Sequence, residues 1–541
     1  MSDSRRGLLT LVVTIMGSTI VFLDATVVNV ALPAISDDLD TGLADQQWVV
    51  EAYLLAMVSL LLVGGSLGDQ FGRKRIFVIG LVGFGITSVL CAAAPSSTVL
   101  IGARAAQGLA GALLVPGSLA ILASTFEGAA RGKAVGTWTA WTGIATVLGP
   151  AGGGALIEAL SWRAIFWVNV PLIVITIMLT MRIVRESKDP QADRAIDWAG
   201  IGMSAAGLGL PVYALIQQPT HGWGAPTVYV PLIAGVLLFA AFLVWESRAP
   251  HAMMDLTLFR IRNFSVTNIE TLIVYAGLLG AFFFVTLFLQ ETVGYTPLEA
   301  GLATTPISLL LFVLSPQFGK IATGIGPRVP MSVGPIVGGL GLLLLTRLNT
   351  EADYLTDVLP GVVIFGLGLS ATVAPLTATA LDSVDERHVG IASGINNGVS
   401  RVAGLLAIAV LGAVISGSFA TSVDDRLSGR QLSAQGERAV ERAKEKPFGS
   451  VPTGGVPPAE ADRIDAAATE ASERAFHLGM ALSGGLMIVG GLIAGAGLRN
   501  PKRREEREAP RAAPAGDCGH CPPADEPATG GREPTPVGET S

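Results

Sequence analysis

The sequence predicts an all-α polytopic membrane protein, and three observations carry that expectation. Hydrophobic residues make up 50% of the 541-residue chain and charged residues 15%, against about 25% charged in soluble domains. Apolar stretches of about 18 to 28 residues recur along most of its length, the length a helix needs to cross a bilayer. Basic residues collect in alternate short loops, as expected when Lys and Arg are retained on one side of a membrane. The mean hydropathy of +0.56 agrees, and a soluble enzyme of several domains is excluded.

The first span, 8–32, is about 25 residues long, beyond the ~7–15-residue core of a signal peptide, and reads as a retained helix. Spans at 47–67, 76–94, 98–126, 133–160 and 164–181 follow it in the N-terminal third of the chain. Two more, 198–216 and 227–245, precede a last group at 264–289, 298–321, 329–345, 358–381, 389–419 and 476–498. The total is roughly fourteen helices. The expected organisation is a helix bundle over 1–183, two linker helices over 184–262, a second bundle over 263–498 and a tail over 499–541. Arg5, Arg6, the Arg73-Lys74-Arg75 cluster, Arg131, Lys133, Arg182, Arg194, Arg248, Lys320, Arg328, Arg387 and the Lys502-Arg503-Arg504 run fall on one side of this arrangement. Both termini are therefore expected in the cytoplasm of a cell with a multi-pass protein in its membrane. The segment 420–474 carries charges of both signs and is expected outside as a long loop, with a short surface helix at 437–446 and a Gly/Pro-rich turn region after it. The tail, rich in Pro, Gly, Ala, Arg and Glu, is expected to be disordered.

The turn Gly65-Ser66-Leu67-Gly68-Asp69-Gln70-Phe71-Gly72-Arg73-Lys74 is echoed at Gly319-Lys320-Ile321-Ala322-Thr323-Gly324-Ile325-Gly326-Pro327-Arg328. Repeated halves suit an alternating-access transporter, in which similar bundles rock about a central site. Within the spans, Leu23-Asp24-Ala25-Thr26 places a carboxylate in the first helix and Arg104-Ala105-Ala106-Gln107-Gly108 an arginine in the fourth. Gly149-Pro150-Ala151-Gly152-Gly153-Gly154 lies in the fifth, with Ser161-Trp162-Arg163 and Asn169-Val170-Pro171 after it. In this order the motifs resemble those of the major facilitator superfamily, and specifically its drug:proton antiporter branch with fourteen transmembrane helices, the EmrB/QacA type. The resemblance covers about 8–498. It implies the major facilitator fold, two six-helix bundles plus two extra central helices, and proton-coupled export of small amphipathic drugs or antibiotics across the cytoplasmic membrane. Ala145, where the family has glycine, and Glu51, where it carries a small polar residue, depart from the pattern.

Ionisable residues inside a membrane are costly, about 2.5–3.5 kcal/mol or more each, and mark functional positions. At ~1.5 Å rise per residue, Asp24 lies ~12 Å, Arg104 ~9 Å and Glu51 ~6 Å from the outer ends of their helices. Asp24 and Arg104 are expected to form a proton-sensitive pair with Glu51 close enough to tune it. Glu270, ~9 Å from the cytoplasmic end of its helix, shares a face with Asn263, Thr267 and Thr271 and is expected on a water-lined cavity, to bind a cationic drug or a second proton. Ser393, Asn396, Asn397, Ser400 and Arg401 form another stripe, read as substrate pathway or as helix-to-helix glue. Gly65, Asp69, Gly72 and Arg73 read as a conformational latch. Gly149, Pro150, Gly153 and Gly154 read as helix packing and, through the resemblance, as an element of coupling.

No cofactor is expected. No Gly-x-x-x-x-Gly-Lys-Ser/Thr nucleotide loop occurs, and Cys518-Gly519-His520-Cys521 supplies fewer than the four ligands of a zinc site. The expected partners are a small amphipathic substrate, protons and the lipid bilayer, without nucleic acid, and the chain is expected to act as a monomer. Two rivals remain: export of one endogenous metabolite such as an antibiotic, lipid or siderophore, and a membrane-embedded enzyme.

Overall fold

Long apolar runs without interrupting charges leave the backbone to satisfy its own hydrogen bonds, and helices do this within one segment. The computed structural model describes residues 3–500 apart from 127, 189–196, 250–253, 386–388, 429, 431, 450 and 452, with backbone alone at 3, 4, 62, 128, 129, 132, 133, 139, 140, 143–147 and 390. Contacts group the chain into Met1–Arg499 and Asn500–Ser541. Arg194, Arg387, the Lys502–Arg504 run, the disorder expected of the tail, and Cys518, His520 and Cys521 lie outside the described residues, as does the side chain of Ala145.

The helices are α1 (Asp3–Leu39), α2 (Leu43–Phe71), α3 (Arg73–Ala92), α4 (Ser97–Thr125), α5 (Gly128–Ala159), α6 (Ala164–Trp167), α7 (Asn169–Ile183), α8 (Trp198–His221), α9 (Pro226–Glu246), α10 (Arg262–Glu291), α11 (Pro297–Ile325), α12 (Arg328–Leu344), α13 (Leu359–Asp382), α14 (Val389–Leu427), α15 (Ala434–Glu445) and α16 (Pro458–Gly497). Among the described residues, 12 helices are long and apolar enough to cross a membrane, α6 and α7 counting as one, and α2 is a thirteenth, bent by 50°. The expected set of roughly fourteen holds one more, α5, which is 32 residues long. The break between α6 and α7 follows from Pro171, which has no N–H for the Trp167 carbonyl one turn back.

Helices α1 to α7 pack on one another, as do α10 to α14 with α16. Between them α8 lies across α2 and α14, its Leu208, Val212 and Ile216 against Leu405 and Ala409 and the rim of Trp48, Leu54 and Leu55. Helix α9 packs on α8, where Gly207 meets Phe239 and Gly235 meets Pro211, and exposes Val230, Ile233, Val236 and Leu237. One face of the molecule carries both ends of the described chain. There Arg6 donates to the Ile183 carbonyl at 3.1 Å and Arg262 to that of Gly497 at 2.8 Å.

The sequence echo is an echo of backbone. Gly72, between α2 and α3, has φ +113°, and Gly326, at the equivalent place between α11 and α12, has φ +89°. Each donates its N–H to the carbonyl four residues back, Gly68 or Ala322, so the same left-handed turn reverses the chain twice, and glycine is the residue that adopts it without strain.

The opposite face differs from expectation. The short helix expected at 437–446 is present as α15 over Ala434–Glu445, but α14 runs on to Leu427 and α16 begins at Pro458, well before the expected span at 476. Alanine, glutamate and arginine dominate 459–475 and are strong helix formers, while Ile464, Ala467, Ala468 and Ala471 give α16 an apolar stripe to bury. The result is a folded cap. Phe448 packs its ring 6.3 Å from Phe284 and 6.1 Å from Phe288, which stacks on Phe476 at 3.9 Å. Burial works against the Lys444 ammonium, but hydrogen bonds to Asp424 and Glu441 outweigh it and hold its pKa above the ordinary lysine value. The cap also reaches the first half: Lys446 pairs with Asp40 at 3.6 Å, and the Glu445 carbonyl lies close over Gly42.

Candidate transport pathway and coupling network

Asp24 on α1 and Arg104 on α4 meet as expected, 2.5 Å apart and 2% and 1% exposed. A buried ion pair is tolerable only when its remaining donors and acceptors are used, and here they are. Gln107 and Asn169 donate to the second carboxylate oxygen of Asp24 at 3.1 and 3.2 Å. Arg104 donates through Nε to the Val49 carbonyl and through Nη1 to Gln107 Oε1, while Tyr53 lies under its guanidinium at 4.2 Å. Ser88 accepts from Gln107 at 2.9 Å. Gln107 and Asn169 stood inside the quoted motifs without a role. Gln107 is three residues from Arg104 on the same helix face, which is the available signal.

Glu51 lies outside this network. It is two residues from Tyr53, roughly 200° around α2, so with Tyr53 beneath Arg104 the carboxyl of Glu51 turns to the other side. One turn along that side Gln47 donates to the Ile408 carbonyl of α14 at 2.8 Å, which puts Glu51 on the face where the two halves meet. Glu51 is fully buried and neither carboxyl oxygen has a hydrogen-bond partner among the described residues.

Glu270 is likewise fully buried and unpartnered, and it does not line an open cavity. Val266 and Val274, one turn to either side of it, pack against Gly497 and Gly490 of α16, so Glu270 faces inside the second half. Of its expected companions, Thr267 and Thr271 are buried, and Asn263 holds the Arg499 carbonyl at 2.9 Å. Thr271 also accepts from Asn396 at 2.9 Å, and Asn268 does so at 3.3 Å. Asn396 is thus glue between α10 and α14.

Arg401, farther along the α14 stripe, looks across to the first half. Arg401 reaches Met57 Sδ at 3.3 Å and lies 5.9 Å from the Phe22 ring, and Asn397, one turn away on the same face, is exposed.

The glycines of α5 form a seam. Added side-chain carbons would strike Thr26 at Gly149, Val27 at Gly153 (2.7 Å) and the Pro297 carbonyl of α11 at Gly154. Gly301 of α11 lies against the Pro150 carbonyl in the same manner, whereas Gly152 has open space. Helix α5 is therefore clamped between the Thr26 and Val27 side chains of α1 and the main chain of α11, which it meets backbone to backbone near the capped face. Gln290 adds a hydrogen bond to the Val30 carbonyl at 3.1 Å. The named contacts between the halves all lie at mid-depth or nearer the cap. On the terminal face, Asp69 and Arg73 pair at 2.7 Å within their own turn, and Glu186 accepts from the N–H groups of Lys74 and Arg75 at 3.0 and 3.1 Å.

A family model described as Major Facilitator Superfamily matches residues 14–408 of the chain. The chain belongs to the major facilitator superfamily. As a member it is a multi-pass membrane transporter. It is 36% identical over 425 residues to the multidrug resistance protein Stp of Mycobacterium tuberculosis, covering 78% of this chain and 79% of the relative. It is 32% identical over 488 residues to the tetracenomycin C resistance and export protein of Streptomyces glaucescens (90% and 89%). To the puromycin resistance protein pur8 of Streptomyces alboniger it is 37% identical over 428 residues (77% and 83%). Among solved structures, a bacterial homologue of the human lysosomal transporter Spinster superposes with a TM-score of 0.61 at 15% identity, covering 92% of this chain and 99% of that one. At that identity the likeness concerns the fold.

Proposed function

We propose that this superfamily member exports small amphipathic drugs or antibiotics across the cell membrane in exchange for protons, by alternating access, with its terminal face in the cytoplasm. The observation that carries proton exchange is the contrast among its buried acids. Asp24 has every partner a carboxylate needs, while Glu51 and Glu270 have none among the described residues. A carboxylate buried without a donor bears the full desolvation cost, and taking up a proton removes it. Glu51 stands where the halves meet, so its loading senses whether they are together. Protonation of Asp24 would release Arg104 and loosen α1 from α4, the two helices it ties. The α5 seam closes the capped end, and the Asp69–Arg73 turn, with Gly65 and Gly72, latches the terminal end when the halves rock the other way.

The resistance proteins to which the chain is similar support drugs as the cargo, and Asn397 and Arg401 line the path between the halves in this reading. The likeness to a protein named for tetracenomycin C export favours a second reading, in which the cargo is one compound made by the same cell. Everted membrane vesicles test the proposal. Addition of an exported drug should release protons from energised vesicles, and Glu51→Gln should abolish that release while the protein remains in the membrane. Full drug-induced proton release by Glu51→Gln would overturn the coupling assignment.

A further inference from the structure

The charges that remain between the halves point to a cargo chemistry. Inside the membrane span, Asp24 is neutralised by Arg104 at 2.5 Å, Glu51 is fully buried at the α2 contact, and Glu270 is turned into the second half. Arg401 is the exception. It is only partly buried, it faces the first half, and its recorded contacts are a thioether sulfur at 3.3 Å and the Phe22 ring at 5.9 Å. Among the described residues no carboxylate lies within ion-pair distance of it. A thioether is a weak acceptor, and neither group cancels a guanidinium charge.

The surroundings complete a receptor. Phe22 stands two residues from Asp24, roughly 200° around α1, so it faces the space between the halves while Asp24 faces away from it. Trp138, buried behind it, meets Phe22 edge-on at 6.5 Å and backs its ring. Asn397, exposed one turn toward the terminal face, adds an amide. A planar fork of N–H donors beside an aromatic wall matches a carboxylate, sulfonate or acidic phenol carried on a flat ring system. A cation placed there meets a like charge.

We propose that this site selects aromatic acids, with Arg401 receiving the anionic group and Phe22 the ring, rather than the cationic drug assigned to Glu270 from the sequence. This rests on the reading of the α14 face as the substrate path. The test uses the full chain in proteoliposomes and two xanthene dyes of similar shape, anionic fluorescein and cationic rhodamine 123. Fluorescein should bind more tightly by fluorescence polarisation and be transported with the higher kcat/KM. Arg401→Gln should raise its KM about ten-fold or more while lowering that of rhodamine 123, which no longer meets a like charge, and Arg401→Lys should restore some of the loss. Tighter binding of rhodamine 123, binding of neither dye, or an equal loss for both in Arg401→Gln would overturn the inference. The wild-type binding comparison decides even if the variant fails to fold. Fluorescein transport that ignores an imposed proton gradient would sink proton exchange and leave acid selectivity standing, so the two readings fail separately.

Discussion

Asp24 and Glu270 occupy the opening helix of their respective halves, and both are buried, yet their surroundings are opposite. Asp24 on α1 is held by Arg104, Gln107 and Asn169, whereas Glu270 on α10 faces the glycine-rich side of α16 with no partner among the described residues. The first half keeps its acid as one member of a closed polar network, and the second keeps its acid as a lone group in an apolar contact. Removing a partner from the network leaves a charge stranded, while replacing the lone acid by its neutral isostere strands nothing. Stability and transport should therefore separate in opposite directions at the two sites.

The largest effect is expected at the network. Arg104→Gln leaves Asp24 buried without its countercharge and should cost about 3–5 kcal/mol, seen as a large drop in the melting temperature of detergent-purified protein. Adding Asp24→Asn should return some of that loss, and an additive double variant would break the comparison. Next comes the seam. Gly154→Val or Gly301→Val drives a side chain into an opposing carbonyl and should cut transport by about 100-fold, the ~2.7 kcal/mol of a modest overpacking penalty. Gly152→Ala, with open space around it, should transport normally. Glu270→Gln should then change stability by under ~1 kcal/mol, the range of volume-conserving swaps, while slowing proton-driven transport about ten-fold; loss of folding instead would mean that Glu270 has a partner in another conformation. The smallest effect is expected at the rim. Lys446→Gln removes an exposed pair with Asp40, worth ~0–1 kcal/mol, and should alter transport less than two-fold, with the difference vanishing at high salt.

Much of this is legible in the sequence. Membrane spans follow from length and hydropathy, and the Asp24–Arg104 pair follows because buried opposite charges at similar depth must find one another. Depth alone misplaced Glu51, since two positions on one helix at similar depth can face opposite ways, and the phase became visible only from Tyr53 and Gln47. Thr267, Thr271 and Asn263 share the side of α10 that carries Glu270, which is why the sequence points it to a cavity. That rule marks a polar stripe without saying whether water or another helix covers it. Asn396 shows the same ambiguity resolved toward a helix. The cap is legible only in part: the short helix at 437–446 is there as α15, but the charges of 459–475 hide the extension of α16, because a helix of Ala, Glu and Arg needs only a narrow apolar stripe to dock.

The glycine seam between α5 and α11 has a mechanical consequence. Because main-chain carbonyls face glycines there, with no interlocking side chains at Gly154 and Gly301, the halves meet on something closer to a bearing than a lock. Weak contacts of a glycine Cα with a carbonyl are worth ~0.5–1 kcal/mol each, and carrying one elementary charge through 100 mV supplies ~2.3 kcal/mol. In the proton-exchange reading proposed above, a single proton crossing the membrane is on the scale needed to break a few such contacts, and rocking would need no larger trigger.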